Sequence, residues 1–177
     1  MRVAILCLGS QGDIRPFVAL GAALKDRGHS VQILTNSPNE SLCKQNGIEY
    51  APLDGDIFAA IEGLGKFELT WKLSQILSAA AKRQFEILNT QLRKVDALIY
   101  HPAVFPAEHL VEAIRLPSLC IHLQPNIPTR YMSSVIFPPR LPFRPWSNLA
   151  SHFIVSQLFW LPIRKVVNQW RTQKTGS

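Results

Sequence analysis

Two hydrophobic periods alternate along this chain. Val3–Leu8 is an unbroken apolar run that ends in Gly9-Ser10-Gln11-Gly12-Asp13. From Pro16 the spacing lengthens to three and four. Phe17, Leu20, Ala23 and Leu24 fall on one face of a predicted helix that Pro16 opens and Gly28 closes. A second apolar run, Val31–Leu34, follows directly. Strand, glycine loop, helix and strand in this order predict the first unit of an α/β fold, a doubly wound and mainly parallel Rossmann-like sheet flanked by helices. Ligands of such sheets gather beyond the carboxyl ends of the strands. The loop therefore sets an acid, Asp13, beside backbone N–H donors at the most ligand-prone point of the fold.

The pattern continues past that unit. Asn36-Ser37-Pro38-Asn39 predicts a turn, Glu40–Asn46 a short helix ending at Gly47, and Ile48–Leu53 a third strand. Ile57–Leu64 reads as helical. Glu68–Lys94 reads as a long helix with Leu69, Leu73, Ile76, Leu77, Ala80, Phe85, Leu88 and Leu92 on its apolar side. Asp96–Tyr100 is a fourth strand ending at His101-Pro102, Ala107–Ile114 a helix and Ser118–Leu123 a fifth strand. Gln124–Trp146 then holds six of the 13 prolines, so regular structure cannot persist there. A loop of that length in a compact domain usually serves as a binding wall. Residues 148–171 return to helix, with Pro162 as an expected kink. The domain reading is 1–147 with the Pro-rich loop 124–147 included, then a helix over 148–177.

Charge changes the picture in the last third. All 12 acids lie at or before Glu112, while eight basic residues and no acid follow Ala113. The net charge of +7 thus points to an anionic partner for that end, or to a solvated basic face. No nucleic-acid motif accompanies it. Three cysteines, Cys7, Cys43 and Cys120, have no metal spacing, and Cys7 and Cys120 sit in apolar runs. Free buried thiols in a reducing, cytoplasmic compartment are the expectation, with no secretory segment in view and a membrane surface as a further peripheral contact.

The glycine loop is informative in what it fails to match. Its glycines are three apart, so it is no G-x-G-x-x-G fingerprint, and Asn36 and Ser37 stand where a ribose-binding acid would be. Gly63-Leu64-Gly65-Lys66 is no P-loop, and no G-x-S-x-G occurs. Gly9-Ser10-Gln11-Gly12-Asp13-Ile14-Arg15-Pro16-Phe17-Val18-Ala19-Leu20-Gly21, followed by Leu24 and Gly28-His29, resembles another opening. It is similar to that of the sterol and antibiotic branch of the GT-B glycosyltransferases, strand–G-S-x-G-D–x-x-P-x-x-A-L. Leu34-Thr35-Asn36, Gly47-Ile48, Pro52-Leu53, Pro117–Pro125 and Trp160–Trp170 extend the likeness, although only the first 30 residues are specific. The layout matches the N-terminal, acceptor-binding half of such an enzyme.

The resemblance implies inverting, metal-independent transfer of a hexose from a UDP-sugar to a hydroxyl of a lipid, sterol or other apolar aglycone. The nucleotide-sugar is then a co-substrate bound mainly by a donor domain, in cis or as a second chain. The 177-residue piece is expected to be inactive alone. Asp13 is implied as general base, although an acid there also suits a helix cap. Ser10, Gln11 and Gly12 would line the diphosphate side. His101 would orient or share a proton with Asp13, against the simpler reading of a strand-end histidine bonded to backbone. The acceptor pocket would be walled by Ile57, Phe58, Ile61, Phe67 and Trp71 and by Tyr131, Met132, Ile136 and Phe137. No metal ligand set is expected: Asp54 and Asp56 read as turn formers. His29 and His109 are expected at the surface. A competing reading from another class is a non-catalytic acceptor-binding or anchoring subunit that recruits a separate donor-binding chain.

Overall fold

A computed structural model describes residues 1–53, 66–104, 106–124, 127–134 and 145–175. Five parallel strands lie in the order β3-β2-β1-β4-β5: β1 (Arg2–Leu6), β2 (Ser30–Thr35), β3 (Glu49–Pro52), β4 (Ala97–Tyr100) and β5 (Ser118–Cys120). Helices α1 (Gln11–Asp26), α2 (Glu40–Gln45), α3 (Lys66–Gln91), α4 (Pro106–Ile114) and α5 (Pro145–Thr175) complete the described elements, with one-turn 3-10 segments at Ser37–Asn39 and Leu92–Lys94. The order reverses between β1 and β4, where the chain, having built outward through β2 and β3, crosses to the other side. That reversal opens the crevice in which doubly wound sheets bind ligands.

Alternation along β1 builds two cores. Val3, Ile5 and Cys7 face α1 and α2 with Ile14, Phe17, Val18, Val31, Ile33, Cys43 and Ile48. Ala4, Leu6 and Leu8 face the opposite layer with Leu88, Leu98, Ala107 and Leu110 of α3, β4 and α4 and with Leu92 just beyond α3. A strand buried on both sides explains why Val3–Leu8 is continuously apolar. A third cluster joins α3 to α5 through Leu77, Ala81, Phe85, Ile163 and Val167, and Trp170 stacks on Phe85 with centroids 4.6 Å apart.

The structure corrects several expectations. Pro16 does not open α1. The helix begins at Gln11 with Ser10 as N-cap, and Pro16 lies inside it. A proline so near the start removes only the bond to the Gly12 carbonyl, and the Ser10–Asp13 cap outweighs that loss. β5 stops at Cys120, three residues early. His109 is half-buried rather than superficial, with its ring 5.5 Å from that of Trp160. Helix α5 runs continuously through Pro162, whose carbonyl accepts a 2.7 Å bond from Ser78 Oγ. The cysteines are free; Cys7 and Cys43 are buried, and Cys120 is half-buried. The expected helix Ile57–Leu64, and with it Ile57, Phe58 and Ile61, lies outside the described residues, as do Ile136 and Phe137. Phe67 and Trp71 fall on the first turns of α3, where side chains are not described.

Candidate active site

Asp13 is placed by a turn that only glycine can make. Gly9 has φ +140°, and a Cβ on it would stand 2.7 Å from Asp13 Oδ2. The carboxylate folds back over that space. Its Oδ2 accepts the Ser10 backbone N–H at 3.0 Å and the Ser10 hydroxyl at 2.8 Å. This is one half of a capping box, so Asp13 does cap the helix, from the third helical position rather than the first. Oδ1 has no partner among the described residues. One oxygen is tied down and the other is open.

The loop is held from below by side chains that the sequence reading passed over. Asn36 and Asn39, both buried, donate through Nδ2 to the Gly9 carbonyl at 3.2 and 3.4 Å. Asn39 also donates to Asn36 Oδ1 at 2.9 Å, which accepts the Thr35 hydroxyl at 3.1 Å as well. Asparagines at the end of β2 thus stand where other Rossmann folds hold a ribose-binding acid, and here they fix a glycine carbonyl instead. An Asn three residues after another, on either side of a proline, was the legible signal. It read as a turn because asparagine is common there.

His101 ends β4 on the opposite lip of the switch point. Its backbone N–H donates to the Leu6 carbonyl at 2.8 Å, and Nδ1 accepts the Ala103 N–H at 3.3 Å. With Nδ1 accepting, the neutral ring carries its proton on Nε2. Burial pushes the His101 pKa down, the Asp13 charge pulls it back up and His122 lowers it further. The imidazole packs edge-on against Phe17, with centroids 5.8 Å apart. Asp13 and His101 therefore share one electrostatic environment, with no direct hydrogen bond between them among the described contacts. The bond to backbone that the simpler reading anticipated is present.

Ser10, Gln11 and Gly12 are exposed beside Asp13. A Cβ at Gly12 would meet only Ser10 Oγ, at 3.6 Å, an ordinary contact. Packing does not require glycine there, and a helical glycine costs about 0.5–1 kcal/mol relative to alanine. Tyr131 and Met132 are also exposed, at 96% and 42%, and form no enclosed pocket among the described residues.

Residues 3–132 match the glycosyltransferase family 28 N-terminal domain. The chain belongs to this family. The family 28 domain is 30% identical over 190 residues to the "UDP-sugar-dependent glycosyltransferase 52" of Dictyostelium discoideum, covering 98% of this chain and 11% of the relative. It is 27% identical over 184 residues to a sterol 3-beta-glucosyltransferase of Saccharomyces cerevisiae, covering 99% of this chain and 15% of the relative. The chain thus spans less than a sixth of the length of these relatives. Among solved structures it resembles a calicheamicin glycosyltransferase (TM-score 0.58, 17% identity, 68% of this chain and 32% of that one). It likewise resembles the glycotransferase of kitacinnamycin (TM-score 0.56, 20% identity, 68% and 30%). These likenesses show the fold: the N-terminal Rossmann-like half of GT-B glycosyltransferases.

The family 28 domain has two further polar clusters. At the β4–β5 edge, Tyr100 neighbours Cys120, whose sulfur lies 3.5 Å from His122 Nε2. Burial, with the neighbouring Cys120 and Glu108, pushes the Tyr100 phenol up to about 12. The first turns of α5 pin the loop below them. Asn148 Nδ2 donates to the Arg130 carbonyl at 2.9 Å, Ser151 Oγ accepts the Ser134 N–H at 2.9 Å, and His152 Nε2 meets the Met132 carbonyl at 3.1 Å. None of these three side chains was singled out from sequence. Each partner is a loop carbonyl or amide, which composition does not reveal.

Proposed function

We propose that this domain is the acceptor-binding half of an inverting, nucleotide-sugar-dependent glycosyltransferase. It moves a hexose from a UDP-sugar to a hydroxyl of a sterol or other apolar aglycone. One observation carries the reading: a carboxylate at the switch point with one oxygen bound to Ser10 and the other open. The family and the names of its relatives supply the substrate classes. The acceptor hydroxyl attacks the anomeric carbon from the face opposite the diphosphate. The carbon–oxygen bond to phosphate breaks as the new glycosidic bond forms, and Asp13 Oδ1 takes the hydroxyl proton. The bonds from Ser10 hold the carboxylate in place through Oδ2.

Ser10, Gln11 and the bare backbone of Gly12 face the diphosphate at the α1 N-terminus, where partial positive charge stabilises the leaving group. His101, neutral and protonated on Nε2, orients the acceptor or relays its proton. The sugar nucleotide lies between this domain and a donor-binding partner, in the same polypeptide or in a second chain. The acceptor enters from the Tyr131–Met132 side. The work is done in the cytoplasm, at or near a membrane surface, and without nucleic acid.

The test is transfer from UDP-glucose to a sterol by the longest polypeptide that the native message encodes. Asp13→Asn keeps the Ser10 bonds sterically possible and removes the base. It should lower kcat about 10²–10⁴-fold, with KM for the donor little changed. Turnover that survives would leave Asp13 as Ser10's capping partner alone. The domain would then be an acceptor-binding or anchoring module.

A further inference from the structure

Helix α5 is apolar on more than one face, and only one is covered. Ile163 and Val167, with partly buried Phe159, Trp160 and Trp170, pack on α3. The other side presents Trp146, Phe153, Ile154, Leu158 and Leu161, all 48–70% exposed. At 100° per residue these positions, with Leu149, fall within one half of the helix circumference over roughly 23 Å. Single exposed apolar residues are ordinary, but a continuous row is not, and a helix apolar all round is normally buried. Beside the row, the loop that Asn148, Ser151 and His152 pin down leaves Ile127 and Tyr131 70% and 96% exposed.

Charge says what covers it. The row runs into a shallow depression lined by Leu161, Arg164, Lys165, Asn168, Gln169 and Thr172. Arg171, by contrast, is neutralised by Glu112 at 3.3 Å. Arg164 and Lys165 have no acidic partner among the described residues, and the chain has no acid at all after Glu112. A second copy meeting it through the same face would bring up a surface of the same sign. A surface carrying phosphate over hydrocarbon matches both halves of the pattern.

We propose that this face of α5 is a docking surface for an anionic phospholipid bilayer. The helix lies in the interface plane: Phe153, Ile154, Leu158 and Leu161 enter the acyl boundary, Trp146 and Tyr131 sit at headgroup level, and Arg164 and Lys165 meet lipid phosphates. No helix among the described residues is long and apolar enough to cross a membrane, so the contact is made on the surface. The inference needs no catalysis and stands or falls apart from glycosyl transfer.

Sedimentation of the 177-residue chain with vesicles tests it. Phosphatidylcholine vesicles containing about 30% phosphatidylserine should bind it at least tenfold more tightly than pure phosphatidylcholine. Arg164→Gln with Lys165→Gln should weaken that binding roughly 30-fold, at about fivefold per basic residue. Phe153→Ser with Leu161→Ser should weaken it at least tenfold with an unchanged melting temperature, since both side chains are exposed in the free chain. Binding that ignores lipid charge, or that both pairs leave intact, overturns the proposal. So does a chain that doubles its mass through Phe153 and Leu161 and ignores vesicles. Vesicle binding by the short chain that disappears in the longest encoded polypeptide also overturns it, because another part of the protein then covers the face.

Discussion

The Gly9–Asp13 turn and helix α5 treat their side chains in opposite ways. At the turn every constraint is directed. A glycine is bent to φ +140°, its carbonyl takes two buried asparagine donors, and its missing Cβ makes room for one carboxylate. Along α5 nothing aims the outer side chains; Phe153 and Leu161 simply stand in solvent. The first arrangement holds one carboxylate oxygen through named donors. The second offers area without direction and suits adhesion. Residues of one type, Phe17 in α1 and Phe153 in α5, therefore answer to different forces.

Truncating those two phenylalanines separates the regions most widely. Phe17 is 1% exposed between the sheet and His101, and Phe17→Ala should cost about 3–5 kcal/mol in urea unfolding. Phe153→Ala should stay within about 0.5 kcal/mol, as surface changes do. A large loss at Phe153 would mean that its face is packed. Gly9→Ala comes next, because strain at positive φ and the contact with Asp13 add to about 2–3 kcal/mol. Combining it with Asp13→Ala should recover the part due to the 2.7 Å contact to Oδ2 and leave the part due to φ.

Asn39→Leu removes the donors to Gly9 O and Asn36 Oδ1 but also a buried Oδ1 that has no partner. A net loss of about 1–2 kcal/mol is expected, with faster hydrogen exchange at the Ser10 amide as the sign that the turn has loosened. A stable variant with an unmoved Ser10 amide would show that Asn36 holds the turn alone.

The smallest effect is a pH dependence. Burial lowers the His101 pKa, so the folded chain binds its proton more weakly than the unfolded chain does. That contribution to stability is complete above the unfolded value near 6.5 and is lost as pH falls through the lower folded value. The stability of wild type should thus drop on acidification by at most about 1.4 kcal/mol per pH unit for this group. His101→Gln should flatten that slope; His109, lowered for the same reason, contributes separately and remains.

Much of this molecule was written in local pattern. Continuous apolar character in Val3–Leu8 required a strand buried on both faces, and spacing in Leu77–Leu92 required a helix, because period and polarity decide those outcomes wherever a core exists. The G-S-x-G-D opening was enough to suggest the family, and it placed Asp13 at a strand's carboxyl end. The start of α1 is not legible locally: Pro16 favours a helix start in isolation, but the Ser10–Asp13 cap wins when the turn closes.

The tertiary structure alone decided which groups meet. That Asn36 and Asn39 would turn toward Gly9, that His101 would face Asp13 across the switch point, and that Arg171 but not Arg164 would find an acid depend on pairs of residues 27 to 88 positions apart. Such contacts follow from the strand order 3-2-1-4-5, which sets β1 between β2 and β4. Periodicity records whether a side chain is buried. It carries no record of its neighbour, because burial is a property of one residue and a hydrogen bond is a property of two.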